Sequence, residues 1–238
     1  MLTALQKDTR PNPGYIRFHR PRFSFVLQVL RPALNARSRV LDIGRSHLTS
    51  LIGEQFGVCV DSMGLEPDQQ LSTGPHYSFD LNDVPYRDRW RSGLGPYDVI
   101  VFAEVIEHLY TAPELVLEFL AHLLRPGGLL VLQTPNAASI GKRIKLALGT
   151  NPFEKIRGDR LNPGHFREYT LRELVELLQS TGFSIEKTHR KYYFDARFAR
   201  HDRGGEKPRW LGGTIRNVVY RVLPPSWREG ITIIAKKR

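Results

Sequence analysis

Apolar positions along the chain alternate between a helical and an extended period. Residues 22–34, RFSFVLQVLRPAL, place Phe23, Val26, Leu27 and Leu30 at helical spacing, and Pro32 marks the end. SRVLDIG (38–44) is a short buried strand entering a glycine turn. LTSLIGEQFG (48–57) reads as a helix closed by glycine. VCVDSMG and HYSFDL (76–81) give a second and a third strand. YDVIVFA (97–103) is a continuous apolar run, the pattern of a strand covered on both faces. APELVLEFLAHLLRPGG (112–128) predicts a helix with Pro113 in its first turn, stopped by Pro126-Gly127-Gly128. LLVLQTP (129–135) is a fifth strand. TLRELVELLQSTGF (170–183) restores the helical period, with Thr170 and Glu173 spaced as a capping box. FSIEKTHRKYYF and GITIIAKK (230–237) close the series as strands.

Strands alternating with helices define an α/β class with a mainly parallel sheet. Two stretches, 136–165 and 195–228, break the rhythm. They are irregular and basic, and excursions of that length on a compact sheet are usually functional or disordered. The expected organisation is a helical segment over 1–37, then one domain over 38–238 carrying both insertions.

Composition narrows this little. At 238 residues, 41% hydrophobic and 25% charged, the chain reads as globular. No apolar run reaches the length of a membrane span, and the first residues do not read as a secretory signal, so the cytoplasm is the expected compartment. A single cysteine, Cys59, excludes an intrachain disulfide, and its strand context predicts a small buried hydrophobe. Charge changes the picture more. A surplus of +11, from 35 basic and 24 acidic side chains, favours anionic partners.

The candidate chemistry lies where the fourth strand ends. In DVIVFAEVIEHL, Glu104, Glu107 and His108 stand at i, i+3 and i+4. In one helical turn all three project the same way. Such a group suits a divalent cation, or a carboxylate–histidine pair acting as general base. The plainer alternative is that Glu107 caps the next helix and His108 only lines a pocket.

Five segments in order, VLDIG, FDLND, YDVIVFAEVIEHL, LLRPGGLLVLQTPN and HFREYTLRELVELLQSTGF, cover Arg39 to Phe183. Together they resemble the class I S-adenosylmethionine-dependent methyltransferases. The resemblance implies a Rossmann-like seven-stranded, mainly parallel sheet with an antiparallel last strand, helices on both faces, and S-adenosylmethionine over the carboxyl ends of the strands. It assigns the cofactor to Asp42, Gly44 and Ser46 in VLDIGRSHLTSL, to Glu66 at the ribose, to Asp80 and Leu81 at the adenine, and to Glu104. Family members usually carry three alternating glycines in the first of these loops. Here Ser46 and Leu48 replace two, and Leu48 is expected to begin the helix and pack inward.

The resemblance makes His108, His165 and Glu107 the catalytic candidates. Two branches share the signature. Small-molecule O-methyltransferases are one, and they imply a small molecule, sugar or lipid-linked glycan as acceptor. The other is the metal-dependent RNA 2′-O-methyltransferases, whose metal set maps onto Glu104, Glu107, His108 and His165. The missing glycines motivate a third alternative, a degenerate fold serving as a non-catalytic binding module.

The excursions add a partner question. KRIKLALG is amphipathic, with Ile144 and Leu148 on one side. Ile215, Val218, Val219 and Val222 recur at helical spacing between Trp210 and Trp227. Such a stripe, with its arginines, can rest on a membrane surface through 209–228 or pack on its own domain. RNA binding by the same arginines lacks a recognised motif.

Overall fold

A computed structural model of the chain describes residues 13–44, 46–65, 73–91, 93–199 and 210–238. The elements run α1 (Pro13–Leu30), β1 (Val40–Ile43), α2 (His47–Phe56), β2 (Val60–Gly64), β3 (His76–Ser78), β4 (Tyr97–Ala103), α3 (Pro113–Leu123), β5 (Leu124–Pro135), α4 (Ile140–Ala147), α5 (Leu171–Ser180), β6 (Phe183–Lys191), α6 (Trp210–Val222) and β7 (Gly230–Lys237). The strands form one sheet in the order β3-β2-β1-β4-β5-β7-β6. β7 runs antiparallel to both its neighbours, and the other pairings are parallel. The expected sheet is therefore present, with the last strand as the reversed one.

Alternation along β4 shows how the sheet is covered. Val99 and Val101 join Val40, Val60 and Val131 under α1 and α2. Ile100 and Phe102 join Leu41, Leu130 and Leu132 under α3 and α5. Each face buries alternate side chains of the same strands, so β4 has no polar side to spare.

α1 begins well before the expected Arg22 and runs through Pro21. A proline there removes one internal hydrogen bond. Tyr15 and Ile16 compensate by packing on the same cluster as Phe23, Val26 and Leu30. α1 is thus part of the sheet's cover. Cys59 departs from expectation: it is exposed and precedes β2, with Sγ 3.6 Å from the Thr73 carbonyl. Burial against Val60 and Val58 falls to its neighbours.

The excursion after β5 returns to where it left. Asn136 and Tyr169 form a parallel bridge, and the Ala137 amide donates to the Tyr169 carbonyl at 3.0 Å. α5 then starts on the expected reciprocal cap between Thr170 and Glu173.

Candidate active site

A cavity of about 840 Å³ opens at the carboxyl ends of β1, β2 and β4. Gly44, Ser46, Gly64, Asp80, Glu104 and His108 all contribute to its wall. Leu48 does not fill it; it sits in the core, 2% exposed, one residue into α2.

The β1 loop explains the reduced glycine pattern. Gly44 has φ +74° and donates to the Met63 carbonyl at 2.9 Å. A Cβ there would stand 2.5 Å from Val105 Cγ2. Ser46 is the N-cap of α2: its hydroxyl accepts from Leu48 N, while Thr49 Oγ1 accepts from Ser46 N at 3.0 Å. Thr49 in turn donates to Asp42 Oδ2 at 2.6 Å. Asp42 therefore sits behind the wall rather than in it, and ties the loop down. Burial pushes its carboxyl up to about 7, against the lowering effects of Thr49 and Arg22.

At the adenine candidate, Asp80 caps the short turn Leu81–Asp83. Its Oδ1 accepts from Asn82 N at 2.9 Å, and its Oδ2 pairs with Arg160 at 2.9 Å. Arg160 belongs to the first excursion, whose residues 157–163 roof the cavity. A ligand amine reaching Asp80 must share this carboxylate with Arg160. Glu66 lies outside the described residues. Its neighbour Leu65 lines the cavity, and Asp61 is occupied elsewhere, accepting from Tyr97 Oη at 2.7 Å.

Glu104 has φ +58°, a left-handed conformation that costs a non-glycine residue about 1–2 kcal/mol. The Gln133 carbonyl holds it there, accepting from Glu104 N at 2.7 Å. The turn that follows, Ile106–His108, is a single tight one. Glu104 consequently does not share a helical face with the other two, and the expected group of four is not gathered. Among the described residues, Glu107, His108 and His165 are, with one ligand atom from each within 4.8 Å of the others.

Burial, then the charge of Glu104, holds the Glu107 carboxyl well above the usual range. Burial also raises Glu104, opposed by Arg22, His108 and Lys142. Glu107 Oε2 accepts from Thr134 Oγ1 at 2.9 Å, while Oε1 is buried without a partner.

The histidines stand edge to face with ring centroids 4.9 Å apart. His108 lines the cavity and His165 lies behind it. His108 Nδ1 is 2.8 Å from the Gly164 carbonyl, so it carries the hydrogen and Nε2 is the basic atom. His165 Nδ1 bonds Glu168 at 2.9 Å, and the far oxygen of Glu168 pairs with Lys142 Nζ. Burial, then His108, holds His165 down at about 4, so it is neutral near pH 7.

Sequence reasoning missed Arg22. It is 5% exposed, lines the cavity, and its Nε has no partner. A single arginine on an amphipathic helix carries no signal until the fold turns it inward.

Sheet order, reversed last strand and a cavity over the strand tips define a nucleoside-binding α/β protein of the methyltransferase type. The chain belongs to the methyltransferase-domain family, whose profile matches residues 15–188. It is 41% identical over 153 residues to a probable S-adenosylmethionine-dependent methyltransferase of Mycolicibacterium smegmatis, covering 61% of this chain and 54% of that protein. It is 29% identical over 197 residues to another so described from Mycobacterium tuberculosis, covering 77% and 62%. The chain thus spans little more than half the length of these relatives. Its fold is similar to that of a SAM-dependent methyltransferase of Archaeoglobus fulgidus (TM-score 0.54, 16% identity, 90% and 94% covered). It is also similar to the N-methyltransferase NodS of Bradyrhizobium japonicum with S-adenosyl-L-homocysteine (0.56, 13%, 96% and 93%).

Proposed function

We propose that the protein is an S-adenosylmethionine-dependent methyltransferase acting on a hydroxyl of a small molecule, sugar or lipid-linked glycan. One observation carries this reading: Gly44, Asp80, Glu104 and His108, drawn from separate strand ends, share the wall of one open cavity. The residues suit the cofactor. Gly44 leaves the backbone bare at the β1 turn, where a side chain would meet Val105. Arg22, with an unpartnered Nε, and the Glu104 carboxyl share the cavity wall and offer a donor and an acceptor to a zwitterionic tail. When bound, S-adenosylmethionine supplies a methyl already activated as a sulfonium.

The chain's task is alignment and proton removal. The cavity wall would orient the acceptor hydroxyl toward the methyl donor. The cofactor, held at the wall by Gly44, Arg22 and Glu104, would supply the methyl and leave as a neutral thioether. The acceptor's proton passes to His108 Nε2. The Gly164 carbonyl holds the tautomer and steadies the imidazolium. The roof segment 157–163 borders the same cavity and leaves it open to solvent on one side.

Calorimetric titration with S-adenosylhomocysteine tests the reading. Saturable binding is expected, and no heat at about 1 mM ligand refutes it.

A second reading, metal-dependent transfer to an RNA 2′-hydroxyl, is favoured by the approach of Glu107, His108 and His165 and by the unpartnered Glu107 Oε1. These three fit a borderline cation such as zinc or manganese, which would lower the acceptor's pKa. Titration with each metal, read as heat and as a rise in unfolding temperature, decides it. Absence of both effects removes the reading.

A further inference from the structure

The apolar stripe of α6 faces solvent. Leu211, Ile215, Val218 and Val222 follow one face of the helix and are 77%, 56%, 54% and 77% exposed. The opposite side makes the contacts. Gly213 lies so close to Arg197 that a Cβ would stand 2.5 Å from its Cα. Tyr220 stacks on Tyr192 at 4.3 Å, and Asn217 donates to Asp195 at 2.9 Å. α6 is therefore attached by its polar side, the reverse of an ordinary surface helix. Ile144 on α4 and Leu148 just past its end are likewise 52% and 76% exposed.

Topology places both helices on one rim. Pro135, the end of β5, pairs with Gly230, the start of β7, and Gly230 pairs with Lys191, the end of β6. The excursions after β5 and β6 therefore leave the sheet at the end that carries the cavity. Residues 136–165 and 210–228 hold nine basic and two acidic side chains; Lys142, Arg157, Arg160 and Arg216 are paired with carboxylates, and Arg143, Lys145, Lys155, Arg221 and Arg228 lie outside the ion pairs described.

We propose that this rim docks on an anionic phospholipid bilayer. The aliphatic side chains of α4 and α6 enter the boundary between headgroups and acyl chains, and Arg143, Lys145, Lys155, Arg221 and Arg228 meet lipid phosphates. Charge and apolarity together select this occupant. Nucleic acid would satisfy the cations and leave the aliphatic stripe in water. A second copy would oppose two positive rims. No helix among the described residues is long and apolar enough to cross a membrane, so the contact is peripheral.

Flotation with vesicles tests this, using phosphatidylcholine alone and phosphatidylcholine with about one third phosphatidylglycerol. The wild-type chain is expected to float with the anionic vesicles only, and to be released by salt. Ile215→Glu/Val222→Glu and Ile144→Glu/Leu148→Glu should each weaken binding at least about tenfold. Their unfolding temperatures should match the wild type, because all four side chains are exposed. Four results would overturn the proposal: no binding to anionic vesicles, equal binding to both compositions, wild-type binding by either double variant, or a wild-type dimer that Ile215→Glu/Val222→Glu splits.

Discussion

Replacing Gly44 with alanine adds one methyl group at the point where the β1 turn meets the β4 tip. Two costs follow. A φ of +74° strains any residue with a Cβ, by about 1–2 kcal/mol. The new Cβ also stands 2.5 Å from Val105 Cγ2. A β-branched residue has little freedom to swing that methyl aside, and Val105 packs against the core, so overpacking adds about 1–3 kcal/mol. The total, about 2–5 kcal/mol, should lower the unfolding temperature by roughly 10 °C in a domain of this size. S-adenosylhomocysteine affinity should fall as well, because the displaced backbone borders the cavity. Scanning calorimetry and ligand titration measure both. The double variant Gly44→Ala/Val105→Ala separates the causes: it removes the clash and leaves the φ strain. Coupling between the two sites should be about 1–3 kcal/mol in favour of the double variant. Additive losses, or an unchanged Gly44→Ala protein, would refute the account of this turn.

Further outcomes follow from the same geometry. His108→Ala should cut kcat about 10²–10⁴-fold with little change in cofactor affinity, as steady-state kinetics on an accepted substrate will show. Glu168→Gln loosens His165 and leaves the largely buried Lys142 without its carboxylate, and should lower both the unfolding temperature and kcat, the latter about tenfold or more. Burial and the neighbouring Glu104 hold the Glu107 carboxyl well above its usual range, so the neutral isostere Glu107→Gln should cost less stability than Glu107→Ala, which also loses the bond from Thr134; a loss for Glu107→Gln as large as for Glu107→Ala in chemical denaturation would refute this. His165 binds its proton near 4 in the fold and near 6.5 unfolded. The unfolded chain therefore holds more protons between those values, and stability falls as pH drops from about 6.5 to about 4, by at most about 3 kcal/mol. His165→Gln should abolish that part of the acid loss in denaturant melts taken across the range.

Much of this was legible because it is local. The runs 97–103 and 230–237 match β4 and β7 residue for residue, and the Thr170–Glu173 cap sits where its spacing placed it. What escaped depends on long-range placement. Arg22 acquires meaning only when α1 packs on the sheet and brings it to the cavity wall. Glu104 was grouped with Glu107 and His108 on the premise of an α-helical turn. The left-handed residue and the tight turn after it were set by Gln133 on the neighbouring strand. The outward stripe of α6 was equally invisible: periodicity reports that a helix is amphipathic and says nothing of which side meets the protein.

The bridge between Asn136 and Tyr169 gives the roof of the cavity an unusual independence. A stretch whose two ends touch behaves as a cartridge. Doubling its length alters the closure entropy by only about 0.6 kcal/mol, provided the contacts of Gly164 with His108 and of Arg160 with Asp80 are kept. One frame can then be refitted with different roofs, so grafting this stretch between related chains should carry acceptor preference with it.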